Sequence, residues 1–295
     1  LRNIDERNTM GAVAPRFGCR SKMPTGVLRK MVVEATEPVS YWLPMGEERL
    51  EVQPLLGSQI TLEFTGQIYC IECGRKTNKS FNQGYCFPCL RSLAACDMCI
   101  VKPELCHYDR GTCREPAWGE SHCMRPHVVY LANSSGLKVG ITRASQVPTR
   151  WIDQGAVQAL PLYEVDSRLQ SGWLEVTLKR YISDRTDWRA MLKGDPSQLD
   201  LLVERDRLLG EASVDLAECQ LKIGSASMRL VDGAEEARFK YPVLVYPEKI
   251  KAHNFDKNAR VEGCLQGVKG QYMILDTGVL NIRKFAGYEV DLQRD

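Results

Sequence analysis

The chain has 295 residues, of which 44% are hydrophobic and 26% charged, with a formal net charge of +2. That is about two domains of ordinary composition, and it excludes collagen-like, coiled-coil and wholly disordered chains. No run approaches the ~18 apolar residues of a membrane span, and the near-balanced charge announces neither a nucleic acid nor a membrane.

Residues 1–20 carry charges early and no apolar stretch, so no secretory signal is read there and a cytoplasmic location is expected. Residues 1–69 form an N-terminal β-rich region. Its runs at 26–33 and 59–65 alternate apolar and polar side chains in part, with Gly or Pro between them.

Residues 70–125 hold nine of the twelve cysteines. Without an export signal, such crowding points to metal rather than to disulfides. Cys70-x2-Cys73, then Cys86-x2-Cys89, is the spacing of a two-knuckle zinc site, in which each short turn brings two thiolates to a tetrahedral ion. Gly74, Gly84 and Pro88 suit such turns. Cys96-x2-Cys99 is another knuckle, followed by Cys106, Cys113 and Cys123. Those five thiols supply four ligands for a second zinc, and spacing does not choose which of the last three complete it. Cys19, Cys219 and Cys264 are isolated and read as buried thiols. Closed four-thiolate sites fold a segment and leave no coordination position for catalysis, so both zincs are expected to be structural. The module's charge, eight Lys/Arg against six Asp/Glu, is only mildly basic and suits a nucleic-acid or a protein contact.

Residues 126–195 read as a small α/β domain. A strand at 127–132, a turn at Asn133-Ser-Ser-Gly136 and a strand at 137–141 make a hairpin. Pro148 opens a helix with Trp151 and Ile152 on its buried side, and Gly155 stops it. An extended run follows at 157–165. Asp166 then caps a helix over 167–183 with Leu174, Leu178, Tyr181 and Ile182 on one face. Residues 196–233 are a helical segment, with Gly210 as its weak point. Residues 234–295 are β-rich again, with runs at 241–246, 261–265, 271–275 and 288–292; the segment 267–272 reads as a hairpin turn with an exposed Lys269. Each terminal region is thin for a domain of its own. The two are expected to pair into one sheet around the inserted middle, giving an α+β chain.

The order strand, turn, strand, helix, strand, helix resembles the GIY-YIG nuclease fold. The residues carrying the likeness are Val128-Val-Tyr130, Lys138-Val-Gly140, Arg150 and Glu175. They span roughly residues 127–195, about a quarter of the chain. The whole chain also resembles a bacterial family with cysteine knuckles that is known only as a domain of unknown function, and that likeness implies no activity. The nuclease resemblance implies that Tyr130 positions or deprotonates a water and that Arg150 neutralises phosphate, with Arg143 as the next candidate. It also implies that Glu175 holds one Mg²⁺ or Mn²⁺ ion. Lys138 stands where the family has its second Tyr, so it would bind phosphate or, with a lowered pKa, assist as base. These residues together suggest a zinc-stabilised nucleic-acid-binding protein with a phosphodiester-cleaving site; DNA and RNA stay equally open. The alternatives are a non-catalytic nucleic-acid-binding protein on the same scaffold and a zinc-stabilised adaptor for protein partners.

Overall fold

The computed structural model describes residues 21–294. The two terminal regions do pair. Strand Ser21–Val27 lies antiparallel to Tyr288–Arg294, which pairs with Gln59–Tyr69. That strand pairs with Arg260–Lys269, and the sheet continues through Tyr272–Leu275 and Gly278–Asn281. Alternation sets which side is buried: Ile60, Leu62, Val261, Leu265, Val290 and Leu292 turn into one core. A small sheet of Val32–Glu34, Ser40–Met45 and Glu48–Glu51 closes over it with Tyr41, Leu43 and Met45. Each such fully buried aliphatic side chain contributes roughly 1.5–3 kcal/mol.

The middle of the chain builds a separate antiparallel sheet in the order Met228–Leu230, Gln158–Val165, His127–Asn133, Leu137–Arg143, with Ala237–Arg238 also on Gln158–Val165. The hairpin register pairs Tyr130 with Gly140 and Ala132 with Lys138. Successive residues of His127–Asn133 serve two cores. Val129 and Leu131 face the helix Arg168–Leu178 through its Leu174 and Leu178, while Val128 and Tyr130 face Trp151. Helices Leu201–Glu211 and Ser213–Ile223 pack onto the first of these cores with Leu208, Leu216 and Ile223.

Several local readings change. Ser167, not Asp166, caps the helix Arg168–Leu178, in a reciprocal box with Gln170; Asp166 pairs with Arg229 instead. The long C-terminal helix breaks at Ala212, two residues after Gly210. Residues 241–246 make no strand, only a bridge from Val243 to Gly267, because Pro242 cannot donate to a ladder. The turn at 267–272 is a hairpin, but Lys269 is fully buried, bonded to the Gly194 carbonyl at 3.1 Å and to Asp195 at 2.7 Å. Of the isolated cysteines, Cys219 is buried, Cys264 is half-buried, and Cys19 lies outside the described residues. Among the described residues, no helix is long and apolar enough to cross a membrane.

Candidate metal centre and basic cavity

The first knuckle pair assembles as its spacing implies. The sulfurs of Cys70, Cys73, Cys86 and Cys89 all lie within 4.8 Å of one another. The Cys73 and Cys86 sulfurs are 3.7 Å apart. A zinc–sulfur bond of ≈ 2.3 Å gives a tetrahedral edge of about 3.8 Å, so the quartet already has the dimensions of a zinc-thiolate site. Its electrostatics ask for a cation. Hydrogen bonding from the Arg75 backbone pulls the Cys73 thiol down to about 6, whereas burial pushes Cys89 well up. A divalent ion would let all four ionise together.

The second feature is a cavity of about 400 Å³ along the exposed edge of the hairpin strand Leu137–Arg143. Lys138, Arg150 and Glu175 all line it. Each arrives from a different element. Lys138 comes from the edge strand and Arg150 from the short helix Thr149–Asp153, whose Trp151 and Ile152 are buried behind it. Glu175 sits on helix Arg168–Leu178, beside the core-facing Leu174. Tyr130 does not line the cavity. It is fully buried beneath the wall, its ring edge-on to Trp151 and its hydroxyl donating to Gln154 Oε1 at 3.1 Å. Lys138 Nζ donates to the same oxygen at 2.7 Å. Gly140 makes the stacking possible, since a Cβ there would sit 2.8 Å from the Tyr130 Cζ and hydroxyl oxygen.

Arg143, the next candidate after Arg150, also lines the cavity, and three cations outside the motif, Lys30, Arg168 and Arg283, complete it. Six cationic side chains thus meet three carboxylates, those of Asp153, Glu175 and Asp184. Asp153 is occupied by an ion pair with Lys30 and by Gln271 Nε2 at 2.9 Å. Burial pulls the Lys138 ammonium down to about 8, with Arg150 adding to the effect. Burial, reinforced by Asp184, raises the Glu175 carboxyl. Burial also lifts the Tyr130 phenol to about 12, so it stays protonated at neutral pH. The buried Nε of Arg168 has no hydrogen-bond partner among the described residues. Excess positive charge, partly desolvated and with one donor unspent, is an arrangement that a bound anion would relieve.

The cysteine-rich segment walls one side of this cavity through Ile100, Val101 and Pro103. It seats closely on the helix Arg168–Leu178: a Cβ on Gly172 would meet the Glu104 backbone nitrogen and the Pro103 Cβ at 2.6 Å. The family described as "Protein of unknown function (DUF2797)" matches residues 57–290, and the chain belongs to it. No curated protein and no solved structure matches the chain.

Proposed function

For this family member we propose a nucleic-acid-binding protein that cleaves phosphodiester bonds at the basic cavity and is held in shape by structural zinc. One juxtaposition supports the reading: Lys138, Arg150 and Glu175 line a single cavity, and Lys138 shares its Gln154 partner with the Tyr130 hydroxyl. These are the positions at which the chain resembles the GIY-YIG nucleases.

The chemistry follows from the groups present. Arg150 and Arg168 neutralise the non-bridging oxygens of a phosphodiester, a planar guanidinium task. Lys138, pulled down to about 8 by burial, lines the cavity, so its neutral fraction can take the proton of an attacking water. Gln154 fixes Lys138 and Tyr130 through one shared oxygen. Glu175, with Asp184 beside it, suits a hard divalent ion, since a cation there would offset the burial that chiefly raises its carboxyl and the repulsion from Asp184 that adds to it. Bound Mg²⁺ or Mn²⁺ would supply charge stabilisation at the phosphoryl group.

Substitution Glu175→Gln tests this on mixed single- and double-stranded DNA and RNA with Mg²⁺ or Mn²⁺. Cleavage should fall at least 10²-fold while binding persists, the usual signature of losing a transition-state charge stabiliser. Wild-type protein that binds but never cleaves would leave the second reading, a non-catalytic nucleic-acid binder. The burial of Tyr130 beneath the cavity favours that alternative, because the residue to which the nuclease resemblance gives the water then has no direct access to a bound phosphate.

A further inference from the structure

The five thiols expected to share a second zinc do not gather. Among the described residues, no three of Cys96, Cys99, Cys106, Cys113 and Cys123 have their sulfurs within 4.8 Å of one another. Cys99, Cys106, Cys113 and Cys123 line one small hollow, whereas Cys96 opens onto another at the surface, with Asn82, Arg91, Met98 and Val101. That surface hollow adjoins the basic cavity, because Val101 lines both.

Apolar groups and cations alternate along this surface. Met98 is 59% exposed and Val101 72%, and the exposed Arg91 lines the same hollow. The carboxylate there, Asp97, is already held by Arg114 at 2.7 Å. Arg91 also lies over the ring of Phe87, 5.9 Å from its centroid, and Phe87 is 52% exposed. Phe87 stands 5.7 Å from the ring of Phe81, over which Lys79 sits at 5.3 Å. Neither Arg91 nor Lys79 has a carboxylate partner among the described residues. The order is thus cation, two rings, cation, apolar hollow, basic cavity.

A single-stranded nucleic acid matches that order. Its unstacked bases lie on aromatic and thioether faces, and the phosphates between them meet the cations. A duplex hides its base faces, and an apolar peptide gains nothing from the unpaired cations. We propose that the nucleic acid held at the basic cavity is single-stranded, and that bases flanking the bound phosphate stack on Phe87 and in the hollow at Met98 and Val101. This inference rests on nucleic-acid binding at the cavity, but not on cleavage there.

Fluorescence anisotropy tests it on the full-length, zinc-loaded chain with no Mg²⁺ or Mn²⁺ added. The probes are a labelled oligo-dT strand of roughly 12 nucleotides and a duplex of equal length. The strand should bind more tightly. Phe87→Ala should weaken strand binding by about 5- to 150-fold, the range for one lost base stack, and leave duplex binding unchanged. Phe87→Trp, which keeps a ring beside the cysteine quartet, should retain the affinity. Photocrosslinking of an iodouracil-bearing strand to the wild-type chain, mapped by mass spectrometry, should label Phe87 or Phe81 whether or not any variant folds. Equal affinity for strand and duplex, unchanged strand binding in Phe87→Ala, or crosslinks that miss both rings would overturn the strand path and leave the cavity reading standing. Binding of neither probe would overturn both.

Discussion

The cysteine quartet and the basic cavity have opposite electrostatic needs and opposite origins. The quartet gathers four thiols that ionise together only around a cation, and all of them come from a segment of 20 residues, Cys70 to Cys89. The cavity gathers cations that need an anion, and they come from Lys30 to Arg283, nearly the full described length. A site encoded locally depends on its turns; a site encoded at long range depends on every sheet that brings its parts together. Damage to the first should therefore act on folding, and damage to the second should act on recognition.

The largest expected effect breaks the local side of that contrast. Removing zinc, by chelation or by Cys70→Ser, should cost on the order of 10 kcal/mol of metal-linked stability and melt the module. Calorimetry with parallel metal analysis checks this; a variant that stays folded with full zinc content would show the quartet to be ornamental.

The next effect concerns the sheet beneath the cavity. His127 is fully buried, its Nδ1–H donating to the Arg125 carbonyl at 2.7 Å and its Nε2 without a partner among the described residues. Burial lowers it to about 4. Above about pH 6.5 both folded and unfolded chains keep this histidine neutral. As pH falls toward 4 the unfolded chain takes up a proton that the folded one refuses, so stability is lost across that window, by about 3 kcal/mol in all. Denaturant midpoints of wild type and His127→Gln between pH 7 and 4 isolate this contribution, since acid effects on the zinc thiolates are common to both. Parallel curves for the two proteins would remove it.

A smaller effect sharpens the cavity side. Gly140→Ala forces a methyl against the Tyr130 ring, which Trp151 holds from another side. It should cost about 1–3 kcal/mol and displace the hydroxyl from Gln154. A crystal structure with the Tyr130–Gln154 bond intact and unchanged stability would contradict that. The smallest is Arg150→Ala: nucleic-acid affinity should drop and the slope of log affinity against log salt should shrink by about 1, with no change in melting. An unchanged slope would place the bound phosphates elsewhere and bring the protein-adaptor reading forward.

What could be read from the chain follows the same division. The quartet is written in two C-x-x-C turns, and the hairpin around Asn133–Gly136 is written in its turn residues, so both are visible without tertiary knowledge. Lys138, Arg150 and Glu175 were reachable only because a motif order pointed to them. Lys30, Arg168 and Arg283 carry no local mark, because strand pairing across the whole molecule is what brings them to the cavity. Lys269 makes the same point from the other direction. Its turn was legible, but its burial comes from Asp195, which lies far away in sequence. The helix Trp188–Lys193 carries its own local marks, an Asp187 cap bonded to two backbone amides and Gly194 at its end.

The placement of Tyr288–Arg294 between Ser21–Val27 and Gln59–Tyr69 has a consequence for synthesis. During translation the two early strands leave the ribosome with no partner to separate them, and the piece that belongs between them is made about 220 residues later. Until then both present unsatisfied edges, the kind of surface that invites chaperones and sticky encounters between nascent chains. Closure of the sheet is thus a late event, and the protein's yield in a cell should depend on how well those waiting edges are sheltered.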